Sequence, residues 1–153
     1  MAIIVQDLEF RSSISQSRWF SAHILDGDNL LPKIVPEIIK DVEILEGDGG
    51  PGTIKLIHFA EDNQLKNIKH RVDKLDEDSY EYSYSIIEGD ALMDVLKVIS
   101  CDIKIVPSAV DGGSIFKMSN KYHTKGDAQL KEEDINFGKE YTLAICKAIE
   151  AYL

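Results

Sequence analysis

Tyr82 and Tyr84 stand two residues apart in the stretch Tyr80 to Ile87, where Tyr80, Tyr82, Tyr84 and Ile86 alternate with Glu81, Ser83 and Ser85. A period of two puts these tyrosines on one face of a strand. A tyrosine joins an apolar ring to a polar tip. Two of them on an inward face either pack in a core with satisfied hydroxyls or offer hydrogen bonds to an enclosed small molecule. Lys55 falls in phase with Ile57 and Phe59 on another strand, Thr53 to Phe59. Facing outward it is an ordinary solvated lysine. Facing inward it needs an ionic partner or a wet cavity, because an unpaired buried ammonium is costly.

Gly47, Gly49, Gly50 and Gly52 make a glycine-rich loop just before that strand. A nucleotide loop would follow its glycines with Lys-Ser/Thr and a helix, whose N-terminus faces the phosphate. Here Thr53-Ile54-Lys55 follows at strand periodicity, so the reading is a tight turn with several positive φ angles. His23, His58, His70 and His123 lie on separate elements, with no His-x₃-His pair and no neighbouring cysteine. No metal site is expected from them. Cys101 and Cys146 lack an activating motif and read as buried or half-buried small residues. No nucleophile elbow, H-E-x-x-H or cofactor motif is present, so no catalytic residue and no cofactor is assigned.

The elements that must position these groups follow from pattern. Ile3 to Phe10 reads as a strand. Ser13 or Ser15 caps a short helix bearing Trp19 and Phe20, and Asp26-Gly27-Asp28-Asn29 leads a second, Leu30 to Val35, with Pro32 in its first turn and Pro36 beyond it. Strands follow at Val42 to Leu45, Thr53 to Phe59, Ile68 to Leu75, Tyr80 to Ile87 and Val95 to Val106. Asp111-Gly112-Gly113 is then a hairpin signal before Ser114 to His123. At the end, Leu130, Phe137, Tyr141, Ile145, Ala148 and Tyr152 recur at helical spacing, predicting one amphipathic helix of about 20 residues. Strand, two short helices, six strands and a long helix make an α+β fold: an antiparallel sheet with the long helix laid on one face.

The 153 residues, 44% hydrophobic and 29% charged, suit a single folded domain over 1–153 and argue against disorder. A net charge of −10 repels a phosphate backbone and an anionic lipid surface, so neither nucleic acid nor membrane is expected as a partner. No segment is long and apolar enough to span a bilayer. The N-terminus has no basic n-region of a signal peptide. Two cysteines fit a reducing compartment. The expected location is the cytoplasm.

Five blocks carry a resemblance over almost the whole chain: Ile24 to Leu30, Glu46 to Lys55, Tyr82 to Gly89, Asp111 to Ile115 and Ser119 to Asp127. In this order and spacing the chain resembles the birch-pollen major allergen family, the plant intracellular pathogenesis-related proteins of class ten. The resemblance implies a helix-grip, START-like fold: a curved seven-stranded antiparallel sheet around the C-terminal helix, two short helices in a V, and an internal hydrophobic cavity. It implies binding and carriage or storage of small amphipathic plant metabolites such as flavonoids, cytokinins or sterol-like hormones, in a defence-related setting, and cross-reactive IgE binding around Glu46 to Gly52. A monomer is expected, with a weak dimer as the alternative.

By matching position, the resemblance places Lys55, Tyr82 and Tyr84 in the cavity. It lines that cavity with Ile24, Leu31, Ile39, Ile57, Phe59, Leu65, Ile87, Ile103, Phe116 and Met118, and with Phe137, Tyr141 and Ile145 from the helix. Departures also bear on the site. His23, Leu31, Leu65 and Asn67 replace frequent aromatics, His70 a common acid, Cys101 an asparagine, and Phe137 a smaller residue. They alter the pocket, so ligand identity does not transfer. The alternative is an enzyme, a ribonuclease or a specialised-metabolism catalyst, using the same cavity. Glu150 and Tyr152 match an acid and a tyrosine proposed for RNA cleavage, but Lys97 stands where a further acid belongs.

Overall fold

The computed structural model describes residues 2–109 and 112–153. Seven strands form one sheet in the order β1-β7-β6-β5-β4-β3-β2, with every neighbouring pair antiparallel. They are β1 (Ile3–Ser12), β2 (Ile39–Glu46), β3 (Ile54–Phe59), β4 (Asn67–Asp76), β5 (Glu81–Gly89), β6 (Leu96–Pro107) and β7 (Ser114–Thr124). β1 crosses the whole chain to pair with β7, from Ile3 opposite His123 to Ser12 opposite Ser114. Register shifts between Lys69 and His70 and between Val72 and Lys74 interrupt the β4–β5 ladder. Such bulges bend and twist a sheet, which lets this one curve. The expected hairpin at Asp111-Gly112-Gly113 falls partly outside the described residues, which omit Asp111; Gly112 sits at φ 73°.

The short helices α1 (Gln16–Phe20) and α2 (Gly27–Ile34) are joined by a π-helical turn over Ser21–Leu25. Of the two candidate serines, Ser15 is the cap: its Oγ accepts from the Arg18 N–H at 3.4 Å. Trp19 and Phe20 are almost wholly buried and anchor α1 under the sheet. α2 begins three residues earlier than its sequence pattern indicates, so Pro32 lies beyond the first turn and supplies no N–H to the Asp28 carbonyl. Asp26 occupies the N-cap position without capping the backbone; its carboxylate accepts from the Asn29 side chain at 3.2 Å.

The long helix α3 (Glu132–Tyr152) carries Glu132, Glu133 and Asp134 in its first turn, where carboxylates suit the helix dipole. Ile145, Cys146 and Ile149 are its buried residues, whereas Phe137 is 37% exposed and Tyr152, expected on the buried stripe, is 60% exposed. α3 is therefore seated on the sheet by its C-terminal half. Gln6 of β1 holds the other half: its side-chain amide donates to the Ile135 carbonyl at 3.0 Å and accepts from the Tyr122 hydroxyl at 3.3 Å. No helix among the described residues is long and apolar enough to cross a membrane.

Candidate ligand pocket

Where α3 stands off the sheet, a pocket of about 340 Å³ opens between them. α3 contributes Asp134, Phe137, Gly138, Tyr141, Thr142 and Ile145, spaced along one face of the helix. β3 presents Lys55, Ile57 and Phe59. β6 presents Ile99, Cys101 and Ile103, and β7 presents Phe116, Met118, Asn120 and Tyr122. Each set repeats every second residue, as one face of a strand must. Ile24 from the π-helical turn and Leu31 from α2, with Ile39 and Val42 of β2, complete one side. Gln64, Leu65, Asp90, Ala91 and Met93 come from the connections after β3 and β5. Gln64, Asp90, Met93 and Phe137 are exposed, so the opening lies between these connections and the N-terminal half of α3.

Two residues expected on the wall are not there. β5 turns Tyr82, Tyr84 and Ile86 to the pocket, so Ile87 faces the other way; Ile86 takes its place. Asn67 is exposed at the start of β4, out of phase with Ile68 and His70, which do line the pocket. Tyr80 leaves the tyrosine face as well. It sits before β5 at φ 56°, and its ring meets Phe20 edge-on at 5.5 Å. The other expected wall residues all line the pocket. Sequence reasoning passed over Asn120 and Tyr122, although their parity with Phe116 and Met118 marks them. It also passed over Asp134, which helical spacing sets on the face of Phe137, Tyr141 and Ile145, and over Asp28 and Asp90.

Lys55 does point inward, and it is paired. Its Nζ lies 3.0 Å from Oδ1 and 2.9 Å from Oδ2 of Asp28, in the first turn of α2. His70 stacks on Tyr84 with ring centroids 4.3 Å apart. Burial, helped by the charge of Lys55, lowers the His70 pKa to about 3, and burial lowers that of His23 to about 4. His23 stacks on Phe116 at 5.3 Å. Tyr84 and Cys101 face each other across the β5–β6 ladder. Burial raises the Cys101 pKa to about 12 and pushes those of Tyr82, Tyr84 and Tyr141 well above the ordinary phenol value. At neutral pH these groups are uncharged. His23 Nδ1, His70 Nε2 and Asn120 Oδ1 are buried and have no hydrogen-bond partner among the described residues.

The glycine loop spends three of its N–H groups within the loop region and on β4. Gly49 donates to Thr53 Oγ1 at 2.9 Å, Gly50 to Asp48 Oδ1 at 3.0 Å, and Gly52 to the Val72 carbonyl at 2.8 Å. Gly47, Gly49 and Gly52 take positive φ angles, and Gly50 does not. A Cβ on Gly47 would lie 2.6 Å from Thr53 Oγ1. These three N–H groups are not free to cradle an anion. Glu150 and Tyr152 are not on the pocket wall. No metal-holding group of three or more His, Cys, Asp or Glu side chains occurs among the described residues.

A bent antiparallel sheet gripping a C-terminal helix over such a pocket is a fold that sequence comparison can place. The profile of the Pathogenesis-related protein Bet v 1 family matches residues 5–153. The chain belongs to that family. Among its Bet v 1 relatives, the major allergen Pru ar 1 of Prunus armeniaca is 52% identical over 153 residues, spanning 100% of this chain and 95% of that protein. The major allergen Mal d 1 of Malus domestica is 51% identical over the same span. The crystal structure of Ara h 8.0201 superposes with a TM-score of 0.87 at 38% identity, covering 99% of this chain and 97% of that one. Norcoclaurine synthase from Thalictrum flavum shares the Bet v 1 fold at a TM-score of 0.75, and at 24% identity the likeness is one of fold.

Proposed function

We propose that this chain binds a small amphipathic plant metabolite in the pocket under α3 and carries or stores it in the cytoplasm as part of a defence response. Flavonoids, cytokinins and sterol-like hormones are the candidate classes. One observation carries the reading: a pocket of about 340 Å³ whose wall is mainly Ile, Leu, Phe, Met and Tyr, interrupted by a few polar tips. Ligand sites of this kind are apolar concavities with a small number of directing polar groups. Asn120 Oδ1 and the ring nitrogens of His23 and His70 that have no partner supply such groups. Filling the pocket restores packing contacts that an open cavity forgoes.

Thermal unfolding against a panel of flavonoids, cytokinins and sterols tests it. A ligand at 100 times its Kd adds about 2.7 kcal/mol and a matching rise in Tm. A flat response across the panel, with native mass spectrometry finding no small molecule on protein from its natural source, rejects the reading. Relatives bearing the name major allergen support a second property, recognition of the exposed Glu46–Gly52 loop by cross-reactive IgE. Serum binding that survives scrambling of this loop rejects it.

A further inference from the structure

The ionic groups on the pocket wall come from four separate elements. Asp28 lies on α2, Lys55 on β3, Asp90 on the 3-10 turn Asp90–Leu92, and Asp134 on α3. Lys55 is the single cation among the described wall residues, and Asp28 holds it through both oxygens. Asp90 and Asp134, at the open end, then have no cationic side chain paired with them among the described residues. The lysines beside them do not supply one. Lys66 is exposed and offers Asp90 only its backbone N–H, at 3.2 Å; Lys131 is exposed and lies 4.0 Å from Glu133. His23 and His70 add no positive charge at neutral pH, since burial holds both in the uncharged form.

One unpaired wall group points the same way, whereas His23 Nδ1 and His70 Nε2 accept or donate according to tautomer and do not discriminate. Asn120 is 4% exposed, lines the pocket, and has an acceptor oxygen without a donor. An acceptor left unpaired in a low-dielectric wall is matched by a ligand that brings N–H or O–H. A carboxylate brings neither, and it would approach through two negative charges with the cavity lysine already engaged. Displacing Asp28 from Lys55 would only exchange one carboxylate for another.

We propose that, among amphiphiles of one skeleton, this pocket selects the ammonium form over the neutral alcohol and excludes the carboxylate. Asp90 and Asp134 supply the attraction at the mouth, and Asn120 supplies an acceptor within. The inference rests on the ligand-binding reading above and sharpens it to a charge class.

The test uses the full chain at neutral pH and three fluorescent probes of one skeleton: naphthylethylamine, naphthylethanol and naphthylacetate. Two partly solvated carboxylates should make the amine about tenfold tighter than the carboxylate at low salt, with the alcohol between them. In the double variant Asp90→Asn/Asp134→Asn the amine-to-alcohol affinity ratio should fall to about one. On the unmutated chain, raising ionic strength to about 0.5 M should weaken the amine and leave the alcohol's affinity where it was, a readout that does not depend on the variant folding. An amine that binds no tighter than the carboxylate, or that is indifferent to salt, overturns the charge preference. If the alcohol still binds, the cavity reading stands without it. Binding of none of the three overturns both.

Discussion

Lys55 of β3 grips both carboxylate oxygens of Asp28 on α2, at 3.0 and 2.9 Å, and so ties the short-helix V to the sheet across one flank of the pocket. The lysine side chain is 10% exposed and the aspartate 35%. The two ends of this pair are therefore not equivalent. Removing the carboxylate strands an ammonium in an apolar wall, whereas removing the ammonium leaves a carboxylate that water still reaches.

Asp28→Ala should accordingly destabilise the fold by about 2–4 kcal/mol, and Lys55→Met by about 1 kcal/mol or less. Urea unfolding of the two variants checks the order. Equal losses would overturn the asymmetry: small ones would mean a pair solvated at both ends, large ones a pair buried at both.

His23 and His70 make the fold acid-sensitive. Their folded pKa values, about 4 and about 3, lie below the unfolded value of 6.5. The unfolded chain therefore binds more protons as pH falls below 6.5. The stability that depends on neutral rings is complete above that pH and drains away toward the folded values, at up to about 1.4 kcal/mol per pH unit for each ring. Between about pH 6.5 and 5 the carboxylates contribute little. Stability measured by urea over that window should decline in the native chain and decline less in His70→Phe, which keeps a ring on Tyr84. A profile unchanged by the substitution would show that His70 already titrates normally.

Gly89 and Gly49 both have positive φ, 118° and 104°, but differ in surroundings. A Cβ on Gly89 would lie 2.5 Å from the Asn67 carbonyl and 2.7 Å from Ile68 Cα, while one on Gly49 meets nothing within 4 Å. Gly89→Ala should cost more than about 3 kcal/mol, since backbone must move where β4 meets β5. Gly49→Ala should cost only the strain of its φ, about 1–2 kcal/mol. Thermal melts of the two variants decide the matter.

Both cysteines are buried, and burial raises each thiol to about 12. The thiolate is the reactive form. A disulfide reagent at mildly alkaline pH should leave the folded chain essentially unmodified and label both thiols in denaturant. Rapid labelling of Cys101 in the native state would mean that the pocket admits the reagent and that its wall is wetter than described.

Much of this molecule was readable along the chain, for reasons that can be named. The period of two in Tyr82–Tyr84–Ile86 and in Phe116–Met118 assigns those side chains to one face, and a one-residue slip would turn the whole set outward. The same rule points to Ile86 over Ile87, and parity with Ile68 places Asn67 outside. Positional matching set both residues on the wall against this rule. Cap chemistry was less sharp: Ser13 and Ser15 were equal candidates, and only Ser15 stands where its Oγ meets an N–H of the first turn.

What the order of residues dictated is the run of elements, the inward faces of the strands and the amphipathic character of α3, because these depend on neighbours two to four positions apart. Three-dimensional packing settled the rest: that Lys55 turns in because Asp28, 27 residues away, meets it; that α3 seats its C-terminal half and lifts Phe137 off the sheet; and that Asp28, Asp90 and Asp134 converge on one pocket. Contacts between residues so far apart leave no periodic trace in a single sequence. They exist only once the sheet bends and brings separate elements face to face.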